Sequence, residues 1–191
     1  IYAPEPLPAL DDIDGAIIHA LENPIDHDPL PSLLFPGMKL TIAFDDISLP
    51  LPPMALPDIR QRVIEAVLDM AADAGVDDVH IIAALALHRR MTEAELRHAV
   101  GDRVYDAFAP RGMLYQHDAE DPDKLEYLGQ TPHGEDVEIN KRAATSDLLV
   151  YVNINLVAMD GGWKSTATGL SSYKSLQHHH NPTTMEHTRS F

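Results

Sequence analysis

The chain has 191 residues and no cysteine, and its 30 acidic and 14 basic side chains give a formal net charge of -16. This length suits one domain with a sizeable core, and no apolar run approaches the roughly 20 residues of a membrane-spanning helix. The lack of cysteine excludes disulfides and thiolate chemistry, and the acidity disfavours nucleic acid and anionic membranes as partners. Residues 1–16 also lack the basic start and apolar run of a secretory signal. We therefore expect a cytoplasmic protein, and its oligomeric state stays open.

The N-terminal part of the chain is rich in proline. Residues 1–36 contain seven prolines. Proline lacks the backbone N–H that regular structure needs, so we expect an irregular arm there, interrupted by one helix at 14–22. We treat 1–36 as this arm and 37–191 as an α/β domain.

Apolar patterns then predict strands and helices in alternation. Continuous apolar runs indicate buried strands at 39–44, 79–85 and 148–155. Helical spacing indicates a helix at 57–74, and Thr92 followed by Glu95 is the capping-box pattern that opens a helix ending near 100. Weaker signals indicate helices at 103–108 and before 147, and strands at 113–117 and 125–128. The fold class is therefore α/β, a layered domain with a largely parallel sheet flanked by helices.

Polar side chains follow each of the three strong strands. Asp45 and Asp46 come after the first, His88 comes after the second, and the polar stretch 153–164 begins at the end of the third. Ligands of open parallel sheets collect at the carboxyl ends of the strands. The three strand ends therefore predict one common site.

The third of these stretches ends in a lysine that follows two glycines. Gly161 and Gly162 precede Trp163 and Lys164, and glycine lets a ligand approach the backbone closely. A phosphate-binding loop needs the lysine directly after glycine, so we do not expect an ATPase. Two interpretations stay open from these residues alone: a reactive amine beside a ligand, and a solvated lysine in a glycine turn.

Histidines supply the remaining candidates. His88 has the intrinsic pKa of a general base, and its alternative is a surface histidine beside an arginine. Of the consecutive imidazoles at 178–180, at most one is expected to bind a metal ion, because adjacent residues rarely share one; a solvated turn is the alternative. Asp45 and Asp46 bind a ligand or cap the next helix. We expect the histidines at 117, 133 and 187 on the surface.

Five stretches in chain order resemble the nickel-pincer lactate racemases and related 2-hydroxyacid racemases and epimerases. Residues 46–52 are similar to the family's Asp-x-Thr-Arg-Pro-x-Pro, and residues 86–96 to its Gly-x-His-Arg-x-x-Thr-x-x-Glu-Leu. The other three stretches are 128–141, 161–165 and 172–180. The resemblance runs from about residue 22 to residue 180, and the shared order of the five motifs makes it specific.

The resemblance implies a place in a larger enzyme. The chain would be the N-terminal, cofactor-binding half of a two-domain α/β protein, with the C-terminal domain absent from this chain and the active site between the two. The implied cofactor is the nickel-pincer nucleotide, a pyridinium-3,5-bisthiocarboxylic acid mononucleotide that holds nickel through two sulfur-bearing arms and a ring carbon. The implied partners are a 2-hydroxy acid substrate and the cofactor-building enzymes.

The same resemblance implies roles for cofactor-binding residues. Lys164 matches the lysine that tethers the nucleotide through a thioamide, and Gly161 and Gly162 belong to the turn before it. His180 matches the histidine that completes the nickel coordination, and sulfur and imidazole are ligands that suit nickel. Asp46 and Ser48 fall in the loop that holds the nucleotide.

The resemblance also implies the chemistry. His88 matches a catalytic base that takes the hydroxyl proton of the substrate while hydride moves from the adjacent carbon to the cofactor. Return of the hydride to the opposite face of the keto acid inverts the centre. Lys164 is counted with His88 among the catalytic residues because it carries the cofactor.

Two features depart from the family pattern. Leu49 stands where an arginine is expected, and no histidine occurs at 153–160, where the family has a second catalytic histidine. Because racemisation through two faces needs a base on each, we expect a different substrate. The second base would then be Asp160, Tyr151 or a residue of the C-terminal domain.

Three functions are therefore compared. The leading one is an isomerase, a racemase or epimerase of a 2-hydroxy acid or sugar acid. A non-catalytic α/β relative that binds a small ligand is favoured by the lost arginine and histidine and opposed by the retained His88, Lys164 and His180. A zinc hydrolase is disfavoured because the chain lacks the His-Glu-x-x-His spacing and any cysteine.

Overall fold

The computed structural model describes residues 8–47, 54–154 and 162–187. Its strands are β1 (Lys39–Asp45), β2 (Asp78–Ala84), β3 (Leu114–Gln116), β4 (Leu125–Gln130), β5 (Asp136–Asn140) and β6 (Leu148–Val152). Its helices are α1 (Ile13–Glu22), α2 (Leu30–Leu33), α3 (Ile59–Asp73), α4 (Glu93–Val100), α5 (Asp102–Phe108), α6 (Lys141–Ala144), α7 (Gly162–Gly169), α8 (Tyr173–His179) and α9 (Pro182–His187). None of these described helices is long and apolar enough to cross a membrane.

The centre of the fold is a parallel four-stranded sheet in the order β3-β2-β1-β6. β1 pairs with β2 on one side and with β6 on the other, so that Leu40 lies opposite both Val79 and Leu148. Strands β4 and β5 form a separate antiparallel hairpin. The predicted α/β class with a largely parallel sheet flanked by helices is confirmed. Because β1, β2 and β6 run in the same direction, their carboxyl ends meet at one edge.

Both faces of the sheet are covered, which explains why its strands read as continuous apolar runs. On one face, Ile42 and Phe44 of β1 pack in the main core with Ile64 and Val67 of α3. The residues of the second face form a smaller cluster: Ala43, Ile82, Ala84, Ala143 and Leu170. Leu170 directly follows α7, so this packing holds the end of α7 against the sheet.

Local signals explain where the two main helices begin. The Asp58 side chain accepts from the Arg60 N–H at the start of α3, and a buried ion pair of 2.7 Å joins the two side chains. Thr92 and Glu95 form the predicted capping box at the start of α4. Gly75, with φ of 73°, follows α3 in the left-handed conformation that glycine adopts readily.

Some elements differ from the sequence-based expectations. The third strong strand ends at Val152 rather than at residue 155. Helices α2, α7, α8 and α9 were not predicted. Leu30 and Leu34 lie in the main core, so part of the proline-rich arm packs on the sheet domain; the division at residue 36 stays a prediction.

The expectation that His117 is a surface residue is wrong. The ring is buried, its Nε2 lies 2.8 Å from the Ser171 carbonyl oxygen, and its Nδ1 lies 3.3 Å from Asn140 Nδ2. A carbonyl only accepts, so Nε2 carries the proton and Nδ1 accepts from the amide. Burial lowers the pKa of His117. This histidine therefore joins the residue after β3 to the segment before α8 as a neutral structural group.

Candidate functional site

A cavity of about 250 Å³ lies at the carboxyl ends of β1, β2 and β6. Its wall combines polar groups from the strand ends with side chains from α7 and the end of α8. The lining residues are Asp45, Asp46, Ala84, Ala86, His88, Tyr151, Asn153, Ile154, Lys164, Ser165, Thr168, Gly169 and His180. The three described strand ends therefore line one cavity, and their role as a functional site stays a prediction.

An aspartate and a histidine form a pair at one side of the cavity. His88 Nδ1 lies 3.0 Å from Asp46 Oδ2, and the aspartate is 7% exposed while the histidine is 41% exposed. A carboxylate accepts only, so Nδ1 carries the proton and Nε2 keeps the lone pair of the neutral ring. Asp46 therefore fixes both the orientation and the tautomer of His88, as a positioned base requires.

The turn that carries His88 includes an unusual backbone conformation. Ala86 has a φ of 50°, and the His88 N–H donates to the Leu85 carbonyl at 2.8 Å. The Ala86 N–H donates to the Gly169 carbonyl at 3.0 Å, which links this turn to the end of α7. A positive φ costs an L-residue about 1–2 kcal/mol, and the family motif has glycine at the position of Ala86. The structure thus gives a physical reason for that glycine.

Asp45 organises the opposite side of the cavity. Its Oδ2 accepts from Asn153 Nδ2 at 2.6 Å and from the Ile154 N–H at 2.8 Å. Burial raises the pKa of Asp45, and the hydrogen bond from the Ile154 N–H opposes this. Burial and the neighbouring Asp45 raise the pKa of Tyr151, so its phenol keeps its proton near neutral pH.

Gly169 provides the space that the Tyr151 phenol occupies. A Cβ built at this glycine would overlap the Tyr151 hydroxyl oxygen and lie 2.9 Å from the Ala84 Cβ. Any larger residue at 169 must push the phenol or the strand away. The position of the Tyr151 phenol in the cavity wall therefore depends on a glycine at the end of α7.

Lys164 and His180 come from the two helical segments that follow β6. Lys164 lies in the first turn of α7, and His180 caps the C-terminus of α8 with its N–H donating to the Leu176 carbonyl. His180 Nδ1 lies 2.8 Å from His179 Nδ1. Burial lowers the pKa of His180, and the charges of His179, Lys164 and His88 act in the same direction. A neutral imidazole is the form that binds metal ions.

Two buried polar atoms in the cavity wall lack a hydrogen-bond partner among the described residues. They are Asn153 Oδ1 and Thr168 Oγ1. Buried polar atoms are normally paired, and an unpaired one costs about 1–3 kcal/mol. These atoms point to a ligand, because both lie in the wall of the same cavity.

The described residues bring together four of the predicted site residues, Asp46, His88, Lys164 and His180. Gly162 begins α7 next to the lysine, whereas Ser48 and Gly161 lie outside the described residues, as does Asp160. The specific roles predicted for all of these residues stay predictions.

Sequence reasoning did not single out Asn153, Thr168 or Gly169. Asn153 directly follows a strand, which is a usable signal. Thr168 is four residues after Lys164 and so shares its helix face, but that signal requires the unpredicted helix α7.

The described residues hold no group of three histidine, cysteine, aspartate or glutamate side chains placed to bind a metal ion. Of the three consecutive histidines, His180 lines the cavity, and His178 Nε2 lies 3.8 Å from Asp136 Oδ2.

A larger cavity of about 680 Å³ shares no lining residue with the first. Its wall includes His80, Tyr115, Lys141 and Arg142, and none of the predicted site residues. Size alone therefore does not identify the functional site of this chain. The convergence of the three strand ends marks the smaller cavity as the candidate site.

Comparison with known sequences agrees with the resemblance. The sequence model of one family, the lactate racemase N-terminal domain, matches residues 1–191. A lactate racemase of Lactiplantibacillus plantarum is 30% identical over 165 residues, which are 84% of this chain and 37% of that protein. A lactate racemase of Thermoanaerobacterium thermosaccharolyticum is 28% identical over 176 residues, which are 87% of this chain and 38% of that protein. The chain spans less than two fifths of the length of these curated relatives.

Solved structures give the same picture of the fold. The lactate racemase apoprotein from Thermoanaerobacterium thermosaccharolyticum is similar with a TM-score of 0.71 and 27% identity, over 89% of this chain and 41% of that one. A crystal structure of a protein from Thermotoga maritima is similar with a TM-score of 0.57 and 16% identity, over 85% of this chain and 38% of that one. The second likeness bears on the fold alone.

Proposed function

Because the chain belongs to the lactate racemase N-terminal domain family, we propose that it is the cofactor-binding half of a racemase or epimerase acting on a 2-hydroxy acid or sugar acid. The observation that carries this proposal is the convergence of His88, Lys164 and His180 on one cavity. These residues lie far apart in the sequence, and the parallel sheet brings them together. The activity, the substrate and the cofactor-building enzymes as partners all belong to the proposal.

The residues of the cavity fit a nickel-pincer nucleotide. A primary amine and an imidazole line the same space, and two buried oxygens in its wall, from Asn153 and Thr168, lack partners among the described residues. The described chain offers no three-residue metal site of its own, so a cofactor that brings sulfur and carbon ligands suits it better than a bare ion. The cavity is slightly smaller than the roughly 300–1,000 Å³ of typical small-molecule sites. The proposal therefore expects further walls from the rest of a longer protein.

In this proposal Lys164 tethers the nucleotide as a thioamide and His180 supplies the nitrogen ligand of nickel. The contact between His180 Nδ1 and His179 Nδ1 leaves Nε2 as the nitrogen for the metal. Asp46, Ser48, Gly161 and Gly162 stay assigned to the surroundings of the nucleotide, and the geometry adds to Asp46 its contact with His88. When bound, the cofactor supplies hydride acceptance and return at the substrate carbon.

His88 acts in this proposal as a base for the substrate hydroxyl. Asp46 accepts from Nδ1, so Nε2 is free of a proton in the neutral ring and takes the hydroxyl proton. The buried carboxylate stabilises the imidazolium that forms, and it holds the ring in place for the return of the proton. The paired geometry supports a proton-transfer role over the alternative of a solvated surface histidine.

The first test is intact mass spectrometry and nickel analysis of the full-length protein, co-expressed with the cofactor-building enzymes. We expect an added mass on Lys164 and about one nickel per chain. Lys164→Ala should lose the adduct. The matched control Lys174→Ala should keep it, because Lys174 lies 3.4 Å from Asp136 and does not line the cavity.

The second test offers the loaded protein a panel of single enantiomers of 2-hydroxy acids and sugar acids and follows inversion by chiral chromatography. We expect inversion of at least one member other than lactate, because Leu49 removes a positive charge from the family's pattern. A protein that carries adduct and nickel but inverts nothing would contradict the racemase. A protein with neither would favour the non-catalytic, ligand-binding relative.

A further inference from the structure

We propose that Asn153 and Thr168 form a hydroxyl-binding subsite of the cavity, which takes either the ribose of the nucleotide or the chain hydroxyls of a sugar acid. The inference rests on the proposed function, because both ligands belong to it. It starts from two buried oxygens in the cavity wall, Asn153 Oδ1 and Thr168 Oγ1, which lack a hydrogen-bond partner in the described part of the chain. Two such atoms in one wall call for a ligand group that pairs with both.

The orientation of the Asn153 amide is fixed by Asp45. Asn153 Nδ2 donates to Asp45 Oδ2 at 2.6 Å, and a carboxylate only accepts, so the nitrogen of the amide faces Asp45. The same Oδ2 accepts from the Ile154 N–H at 2.8 Å, which holds the carboxylate against the segment after β6. Asn153 Oδ1 is therefore turned away from Asp45 as a fixed acceptor, and it needs a donor from the ligand.

The Thr168 hydroxyl lacks the local bond that a threonine of a helix commonly makes. Such a hydroxyl often donates to the carbonyl four residues earlier, as Thr145 Oγ1 does to the Lys141 carbonyl at 2.8 Å. Thr168 Oγ1 is buried and makes no such bond within the described residues. Thr168 lies four residues after Lys164 in α7, so the two share a helix face. The unpaired hydroxyl thus lies one turn from the side chain that the proposed function assigns to the cofactor.

The two oxygens together favour a hydroxyl group of the ligand over a charged group. Asn153 Oδ1 only accepts, so an ionised carboxylate or phosphate, which has no donor, does not pair with it. An ammonium group donates but leaves the proton of the Thr168 hydroxyl unpaired. A hydroxyl both donates and accepts, so neighbouring hydroxyls of one sugar satisfy both atoms. A site that bonds a ligand hydroxyl rejects the analogue without it, because its own buried groups then stay unpaired.

The first arm of the test measures cofactor loading. Purified nickel-pincer nucleotide is titrated into the full-length apoprotein, and intact mass and nickel content give the concentration at half loading. Thr168→Val removes the hydroxyl and keeps the branched shape of the side chain, and Asn153→Ala removes the amide. If the subsite holds the ribose, the concentration at half loading should rise about tenfold in each variant, the effect of one lost hydrogen bond.

The second arm measures substrate selection with the fully loaded proteins. It compares a sugar acid with the 2-hydroxy acid of the same chain length that carries no further hydroxyl. If the subsite holds the substrate, KM for the sugar acid should rise about tenfold in Thr168→Val. KM for the plain 2-hydroxy acid and the concentration at half loading should then equal those of the wild type. The two arms thus separate the two sources of the hydroxyl.

Two further measurements make the result specific. Thr166→Val is the matched control in both arms, because Thr166 lies in α7 and does not line the cavity; it should behave as the wild type. The melting temperature of each apoprotein provides a readout independent of turnover. Thr168→Val removes an unpaired buried group, so it should melt at the same temperature as the wild type or higher. A lower melting temperature in Thr168→Val would show a hydroxyl bonded within the protein and would overturn the subsite.

The outcomes separate this proposal from the proposed function. A wild type that loads and inverts, with Thr168→Val and Asn153→Ala unchanged in half loading and in KM for every acid that the wild type inverts, would overturn the subsite and leave the racemase standing. A wild type that takes up no cofactor and inverts no acid would overturn the racemase and the subsite together.

Discussion

The carboxyl end of β1 presents two adjacent aspartates that differ in the group they hold. Asp46 fixes an imidazole that is 41% exposed, whereas Asp45 accepts from the Asn153 amide and from the Ile154 N–H at the start of the segment after β6. An imidazole changes its charge near neutral pH on its own. Burial raises the pKa of the Tyr151 phenol in the same cavity wall, so this phenol keeps its proton near neutral pH. One strand end therefore holds a titratable imidazole through Asp46 and the backbone that follows β6 through Asp45.

The largest expected effect comes from removing the His88 imidazole. His88→Ala should lower the rate of inversion by about 10²- to 10⁴-fold and leave the mass adduct on Lys164 in place. The measurement is steady-state inversion followed by chiral chromatography, with intact mass spectrometry of the same sample. His133→Ala is the control, since His133 lies exposed in the turn between β4 and β5. Full activity in His88→Ala would contradict the role of His88 as a base.

A smaller effect is expected from weakening the contact between Asp46 and His88 while the His88 base is kept. Asp46→Asn replaces a pure acceptor by an amide that also donates, so the Nδ1-protonated tautomer of His88 is no longer enforced. We expect a loss of about 10- to 100-fold in the rate of inversion, the range for partners that orient a functional histidine. The control Asp118→Asn breaks an exposed ion pair with Arg90 and should change the rate little. A loss equally large in both variants would argue against a specific role for Asp46.

The position of the Tyr151 phenol can be changed without replacing Tyr151 itself. Gly169→Ala places a methyl group against the Tyr151 oxygen and the Ala84 side chain. We expect the free energy of unfolding to fall by about 1–3 kcal/mol, as for other overpacked interiors, and this is measured by urea denaturation. Ala167→Ser, an exposed change in the same helix, should stay within about 0.5 kcal/mol of the wild type. Unchanged stability in Gly169→Ala would mean that the Tyr151 phenol is not held where the structure places it.

The smallest expected effect is a gain of stability in the turn before His88. Ala86→Gly relieves a positive φ that costs about 1–2 kcal/mol, against about 0.4–1 kcal/mol of added freedom in the unfolded chain. We expect the free energy of unfolding to rise by about 0.5–1 kcal/mol. Ala167→Gly in α7 should have the opposite sign, because glycine disfavours a regular helix by about 1 kcal/mol. Loss of stability in Ala86→Gly would show that the left-handed turn carries no strain.

The sheet was open to prediction from sequence for a physical reason. β1 and β2 are buried on both faces, so Leu40 to Phe44 and Val79 to Ala84 are almost unbroken apolar runs. The rule that ligands collect at the carboxyl ends of parallel strands then led to Asp45, Asp46 and His88 without any contact map. The capping box of α4 was equally local, because Thr92 and Glu95 signal it within four residues.

The part of the site that α7 contributes could not be predicted from the sequence in the same way. The segment of α7 is rich in glycine, serine and threonine, which are weak helix formers. It becomes a helix beside a buried Ser165 and ends at the buried Leu170, so tertiary packing outweighs local preference. The bond between Asp45 and Asn153 joins positions 108 residues apart. The surface expectation for His117 failed because its partners Asn140 and Ser171 lie 23 and 54 residues further along the chain.

The most direct test of the central claim is the position of nickel in the full-length protein. Anomalous diffraction at the nickel edge, from crystals of the cofactor-loaded protein, locates the metal without assumptions about the ligand. The account predicts one peak within coordination distance of His180, with density continuous from Lys164 across the cavity that His88 and Tyr151 line. A peak in the larger cavity beside His80 and Tyr115, or nickel with no density joined to Lys164, would contradict it.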